Sequence, residues 1–133
     1  MPTGISLEAK NSRFWIALGW TIVVTILCLI SFEAFPEKSR VIGLDKVVHF
    51  IFHFVFTWLW YMYSSRKFGA KKSKILFLII ILSIIFGAAI ELGQEYLTTS
   101  READAADVLA NLSGAMSAAI VLILSGKKGN ANK

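Results

Sequence analysis

Four apolar blocks set the terms for this chain. Residues 14–32 carry no charge, and residues 47–63 carry none apart from the imidazoles of His49 and His53. Residues 75–91 are unbroken until they end on Glu91, and residues 108–125 hold an amide, Asn111, near their start. Each block approaches the ~20 residues that cross a hydrocarbon core, where an open chain has only the helix to satisfy its backbone. With 56% hydrophobic and 17% charged residues in a length of 133, the chain is more apolar than an ordinary soluble domain and long enough for one unit. The expected architecture is all-α: a polytopic membrane protein, a bundle of four transmembrane helices over 14–32, 47–63, 75–91 and 108–125. Tails at 1–12 and 126–133 complete a single domain. The first block is longer than a signal-peptide core and no A-x-A site follows it, so it reads as a retained helix. The lone cysteine, Cys28, lies inside that block, which leaves no disulfide framework and no thiol metal spacing.

Charge gives the orientation. Lys10 and Arg13, then Arg66, Lys67, Lys71, Lys72 and Lys74, then Lys127, Lys128 and Lys133 fall on one side of the blocks; Lys38, Arg40, Lys46 and Arg101 fall on the other. By the positive-inside rule both termini and the basic loop are expected in the cytoplasm. Trp15, Trp58, Trp60, Tyr61 and Tyr63 would then form an aromatic belt at the inner interface. The acids divide the opposite way: Glu8 alone lies inside, while Glu33, Glu37, Asp45, Glu91, Glu95, Glu102, Asp104 and Asp107 lie outside or at that boundary. The formal charge of +5 is therefore concentrated on a face that anionic inner-leaflet lipid accounts for, and a nucleic-acid partner is not expected.

The stretch from Glu91 to Gly114 is what the apolar frame carries. Glu91, Gln94 and Glu95 share a helical face at i, i+3 and i+4. Gly87, Ala88 and Ala89 before them permit close helix approach. Glu91 either reaches to the headgroups or turns into the protein, where an ionisable residue is a functional candidate. Further on, Asp104, Asp107, Asn111 and Gly114 are spaced 3, 4 and 3, a stripe descending into the fourth block, with Ala110, Gly114 and Ala118 as a small-residue ladder beside it. The aliphatic run between Ile75 and Ile85 reads as lipid-facing on several sides.

In the second block Asp45, His49 and His53 follow one another at i, i+4 and i+8, with Asp45 capping or beginning the helix. Two histidines at this spacing can chelate a metal, although the HExxH pattern is absent. The plainer alternative has His49 bonded to a carboxylate and His53 buried as a structural imidazole. If the last three helices bundle, Asp45, Lys46, His49, Glu91, Gln94, Arg101, Asp104, Asp107 and Asn111 converge on a polar pocket at the outer end.

The spaced set Asp45-Lys46-x-x-His49, Glu91-x-x-Gln94 and Arg101-x-x-Asp104-x-x-Asp107-x-x-x-Asn111-x-x-Gly114 resembles the VanZ-like family of bacterial membrane proteins, over roughly residues 45 to 114. The resemblance implies a multi-pass protein of the bacterial cytoplasmic membrane that acts at the cell envelope. It connects the chain with glycopeptide resistance of the teicoplanin type, and it implies no reaction.

Three functions stay open at this stage. The pocket binds an envelope ligand, a lipid-linked headgroup or a lipoglycopeptide, with Arg101 and Lys46 pairing its phosphate or carboxylate and the acids and amides bonding sugar or peptide. Alternatively it is an enzyme modifying an envelope lipid. In that case Glu91, Asp104, Asp107 and His49 would be the acid–base candidates and also the candidate ligands of a divalent cation such as Mg²⁺ or Mn²⁺. Against an enzyme stands the lack of an evident nucleophile, since Ser100 and Ser113 have no obvious base beside them. The third function is structural, with Arg101 bridging Glu91 or Asp104 to fix helix register. Against it stands the surplus of acids over Arg101, Lys46 and His49.

Overall fold

The computed structural model describes residues 4–30, 43–68, 71–97 and 104–131, with side chains described between residues 11 and 126. Those residues form four helices, α1 (Gly4–Leu29), α2 (Leu44–Lys67), α3 (Lys72–Leu97) and α4 (Ala105–Ala131), and no strand. All four are long and apolar enough to cross a membrane. Arg101, Lys38, Arg40, Glu33, Glu37 and Glu102 lie outside the described residues.

The helices run beyond the apolar blocks. α1 begins at Gly4, so most of the segment read as a polar tail is helical. Leu7, Glu8, Ala9, Lys10 and Arg13 are all good helix formers, and a helix that crosses lipid continues until a breaker stops it. α2 starts after Gly43, whose φ of 85° is the left-handed region that favours glycine. Asp45 therefore lies in the first turn rather than at the cap, and Arg66 and Lys67 occupy the last turn; both ends suit the helix dipole. Asp104 caps α4: its carboxylate accepts the Ala106 amide at 2.8 Å and its carbonyl accepts the Asp107 amide at 3.0 Å.

Contacts across the bundle fix an up-down-up-down order. Arg13 near the start of α1 donates to the Met62 carbonyl near the end of α2 at 3.4 Å. Gln94 near the end of α3 donates to the Cys28 carbonyl near the end of α1 at 3.0 Å. Lys46 at the start of α2 meets Asp104 and Asp107 at the start of α4. α2 and α4 thus run parallel, with α1 and α3 pointing the other way. The start of α1 and the end of α4 share one end of the bundle, and the acidic cluster occupies the other.

α2 packs most closely on α4. A Cβ added at Gly114 would overlap the backbone carbonyl of Phe50, so the small-residue ladder serves the approach of these two helices. Ala115 and Ala118 beside it are fully buried. Small apolar cores flank this seam: Val24, Cys28 and Ile90 under Trp20, Phe52 and Phe86, and Leu76, Ala119 and Leu122 under Trp58, Tyr61 and Ile80. Polar groups along α1 are tied to backbone or to each other. Thr21 donates to Ala17, Thr25 to Thr21, Trp20 to Phe52 and Trp60 to the Thr21 hydroxyl. At the end away from the acids, Phe14 packs edge-on against Trp60 and tilted against Tyr63.

The exterior is aliphatic. Ile16, Ile22 and Ile26 on α1, Leu78, Leu82 and Ile85 on α3, and Ile120, Ile123 and Leu124 on α4 are all exposed. So much contiguous apolar surface is abnormal for a protein in water and compatible with a lipid bilayer. Within the aliphatic run, Ile75, Leu76, Ile79 and Ser83 turn inward.

Candidate functional site

Inside this apolar shell, eight polar or charged side chains among the described residues are buried: His49, His53, Thr57, Ser83, Glu91, Gln94, Asp107 and Asn111. Burying such groups is costly unless they find partners, so their partners define what the interior is built for.

His49 is the centre. It projects from α2 one turn after Asp45 and is buried, with Glu91 of α3 on one edge of its ring and Asp107 of α4 on the other. Nδ1 of His49 lies 3.0 Å from Oδ1 of Asn111 and 3.7 Å from Oε1 of Glu91. Nε2 lies 3.7 Å from Oδ2 of Asp107. Helical spacing explains the convergence: Asp107 and Asn111 are one turn apart on α4, so they bracket the imidazole from the same side. Asn111 can sit there because Gly87 opposite it has no side chain; a Cβ at Gly87 would stand 2.7 Å from the Asn111 amide nitrogen. That nitrogen is buried and has no hydrogen-bond partner among the described residues.

Above His49, toward the end of the bundle, Lys46 forms the lid. Its ammonium is 2.8 Å from Asp104, 3.2 Å from Asp45 and 3.3 Å from Asp107. Asp107 is thereby shared, with one oxygen toward Lys46 and the other toward His49. Glu91 closes the third side, its Oε2 accepting the Asp104 amide at 3.3 Å. The Lys46 ammonium, helped by the Ala106 amide, holds the Asp104 carboxyl below the usual carboxylate range. Two groups of donor atoms stand within 4.8 Å of one another, His49 with Glu91 and Asp107, and Asp45 with Asp104 and Asp107. The second group already has the Lys46 ammonium among its oxygens.

Seven of the expected site residues are therefore brought together: Asp45, Lys46, His49, Glu91, Asp104, Asp107 and Asn111. Gln94 is buried but turns toward α1, where it donates to Cys28. Glu95, on the same stretch, is exposed. Arg101 falls outside the described residues. His53 takes the plainer of its two expected roles, bonded through Nδ1 to the Ser83 hydroxyl at 2.8 Å and set against the rings of Phe56 and Phe86. Ser83 itself was not expected from the sequence. A signal for it exists, since Ser83, Gly87, Ile90 and Gln94 recur at the spacing of one buried helical face. With both partners at 2% exposure or less, the His53–Ser83 pair ties α2 to α3 and is closed to substrate. Ser113, the other hydroxyl considered, bonds the Leu109 carbonyl of its own helix.

Among the described residues the cluster holds one imidazole, four carboxylates and one ammonium, groups that can accept hydrogen bonds from hydroxyls and amides, carry protons, or hold a cation. Lys46 is already surrounded by carboxylates and offers little to an anionic ligand. The family model described as VanZ/LLP1 matches residues 7–126 of the chain. No curated protein and no solved structure shows a significant match.

Proposed function

The chain belongs to the VanZ-like family of membrane proteins, and we propose that its acid-rich cluster binds a polar ligand of the bacterial envelope. The observation that carries this reading is the burial of His49, Glu91, Asp107 and Asn111, contributed by three helices, at one end of a bundle whose exterior is apolar. Intramembrane polar groups gathered in this way are costly and mark sites of function. The asymmetric lysine and arginine count supports placing this end outside the cytoplasmic membrane, with both termini inside.

The donor balance narrows the ligand. Carboxylates and the Asn111 carbonyl favour a partner rich in hydroxyl, amide or amine hydrogens, which describes the sugar and peptide portions of a lipid-linked headgroup or a lipoglycopeptide. Capture of such a molecule at the membrane surface would contribute to resistance against teicoplanin-type antibiotics. The test is to express the protein in a susceptible bacterium and measure the teicoplanin concentration that stops growth. Reduced susceptibility that disappears in Asp107→Asn and Asn111→Ala, with the variants still in the membrane, supports the reading. A protein that alters susceptibility to nothing acting at the envelope contradicts it.

A second reading is favoured by one observation, the imidazole held between two carboxylates. Such a trio suits acid–base chemistry on an envelope lipid. Comparing the lipids of expressing and non-expressing cells distinguishes the two, because only an enzyme creates a modified species.

A further inference from the structure

A cation beside Nε2 would reconcile the two groups that His49 faces, Asn111 and Asp107. The Asn111 carbonyl oxygen at 3.0 Å places the imidazole proton on Nδ1. In a neutral ring Nε2 then carries the lone pair, and what it faces at 3.7 Å is a carboxylate oxygen of Asp107. Two acceptors confront each other, with side chains only 4% and 5% exposed. The gap is too long for a hydrogen bond, which needs about 2.7–3.2 Å. It is the gap expected between two ligands of one metal: donors held at ~2.0–2.2 Å from an ion, at angles from octahedral to trigonal, stand about 3–4 Å apart. Glu91, nearest the ring at Nδ1 (3.7 Å), is within reach as a third donor: one ligand atom from each of His49, Glu91 and Asp107, on three separate helices, lies within 4.8 Å of the others.

We propose that His49 through Nε2, with Asp107 and Glu91, binds one divalent transition-metal ion, and that Asn111 is the outer partner that fixes the ring. A nitrogen and two carboxylate oxygens suit zinc or manganese better than calcium or magnesium, which take oxygen alone. The Nδ1–H donated to a carbonyl is the usual orienting bond of a metal-bound histidine, and it raises the basicity of the liganding nitrogen. Lys46 then neutralises the outer oxygens, which separates the two cations by Asp107: one oxygen serves the ammonium and the other the metal. Such an ion would attract the phosphate or carboxylate that Lys46 itself is too occupied to hold. This inference rests on the reading of the cluster as the functional site, and its test does not depend on that reading.

Protein purified in detergent without chelator is analysed for metal content. It is then stripped with EDTA and titrated with Zn²⁺ or Mn²⁺ alone, following thermal unfolding. The expected result is about one ion per chain and a rise in Tm on adding the metal back, both lost in His49→Gln and in the isosteric Asp107→Asn. Asp45→Asn, which alters only the outer group, keeps the ion. Asn111→Ala weakens binding by about 10–100-fold. Absence of an ion together with no Tm response to either metal overturns the site, as does an ion that survives both His49→Gln and Asp107→Asn. Loss of the ion in Asp45→Asn alone assigns it to the outer carboxylates and also overturns the site. An ion bound as expected, in a protein without any envelope phenotype, would retain the metal site and remove the ligand-binding function.

Discussion

His49 and Asp107 face each other across 3.7 Å, from parallel helices, with neither side chain more than 5% exposed. The position is held from both sides. Asn111 grips the far edge of the ring, and Lys46 grips the far oxygen of the carboxylate. Substitutions around this pair separate what supports the site from what performs its function.

Gly114→Ala is expected to damage the fold. The added methyl meets the Phe50 carbonyl, which belongs to a helix backbone and cannot step aside. Overpacking of this kind costs about 1–3 kcal/mol, read as a lower Tm in detergent. Gly126→Ala, where nothing stands within 4 Å, should leave Tm unchanged or slightly raised. Equal losses in both would mean that α2 and α4 do not meet at Gly114.

Lys46→Ala removes the ammonium shared by three aspartates and leaves Asp107 buried beside another acid. Because Lys46 is itself more than a third exposed, solvent replaces part of the interaction, and only a small fall in Tm is expected. Lys71→Ala and Lys72→Ala, at the exposed start of α3, should change neither stability nor function. A strong effect there would place the site at the wrong end of the bundle.

Asp104 sets a pH window. Its carboxyl is held below the usual value by Lys46 and by the Ala106 amide, so the folded state binds the proton less tightly than the unfolded chain. The stabilisation is complete above the ordinary carboxylate pKa and disappears as pH falls through the lowered value. The Tm difference between the native chain and Asp104→Ala should be constant from about pH 8 to pH 5 and shrink only under more acidic conditions. A difference that grows on acidification would contradict the Lys46 pairing.

Orientation is open to direct labelling. With Cys28 buried, a single introduced cysteine at Arg101 should react with a membrane-impermeant maleimide on intact cells, whereas one at Lys71 should react only after permeabilisation. The reverse pattern would put the cluster on the cytoplasmic side.

The family and the four-helix frame were legible in the sequence, because uncharged blocks of this length have one outcome in lipid and because the spaced motif residues are specific as a set. Convergence of His49, Glu91, Asp107 and Asn111 followed from helical spacing once the helices bundled. What spacing could not decide was which neighbour each residue meets. Gln94 shares a helical face with Glu91, yet the angular offset of three residues hands it to the Cys28 carbonyl of α1. Ser83 was concealed in an aliphatic run, where a single hydroxyl makes no pattern by itself, and its partner His53 comes from a different helix. The exact apposition of Gly114 to Phe50 also depends on tertiary packing.

The most direct test is native mass spectrometry of gently purified protein beside the Asp107→Ala variant. Binding of an envelope ligand by the cluster predicts a retained lipid or glycolipid adduct on the native chain that is lost in the variant. Identical spectra, with both chains bare or both carrying the same adduct, would contradict ligand binding at His49 and Asp107.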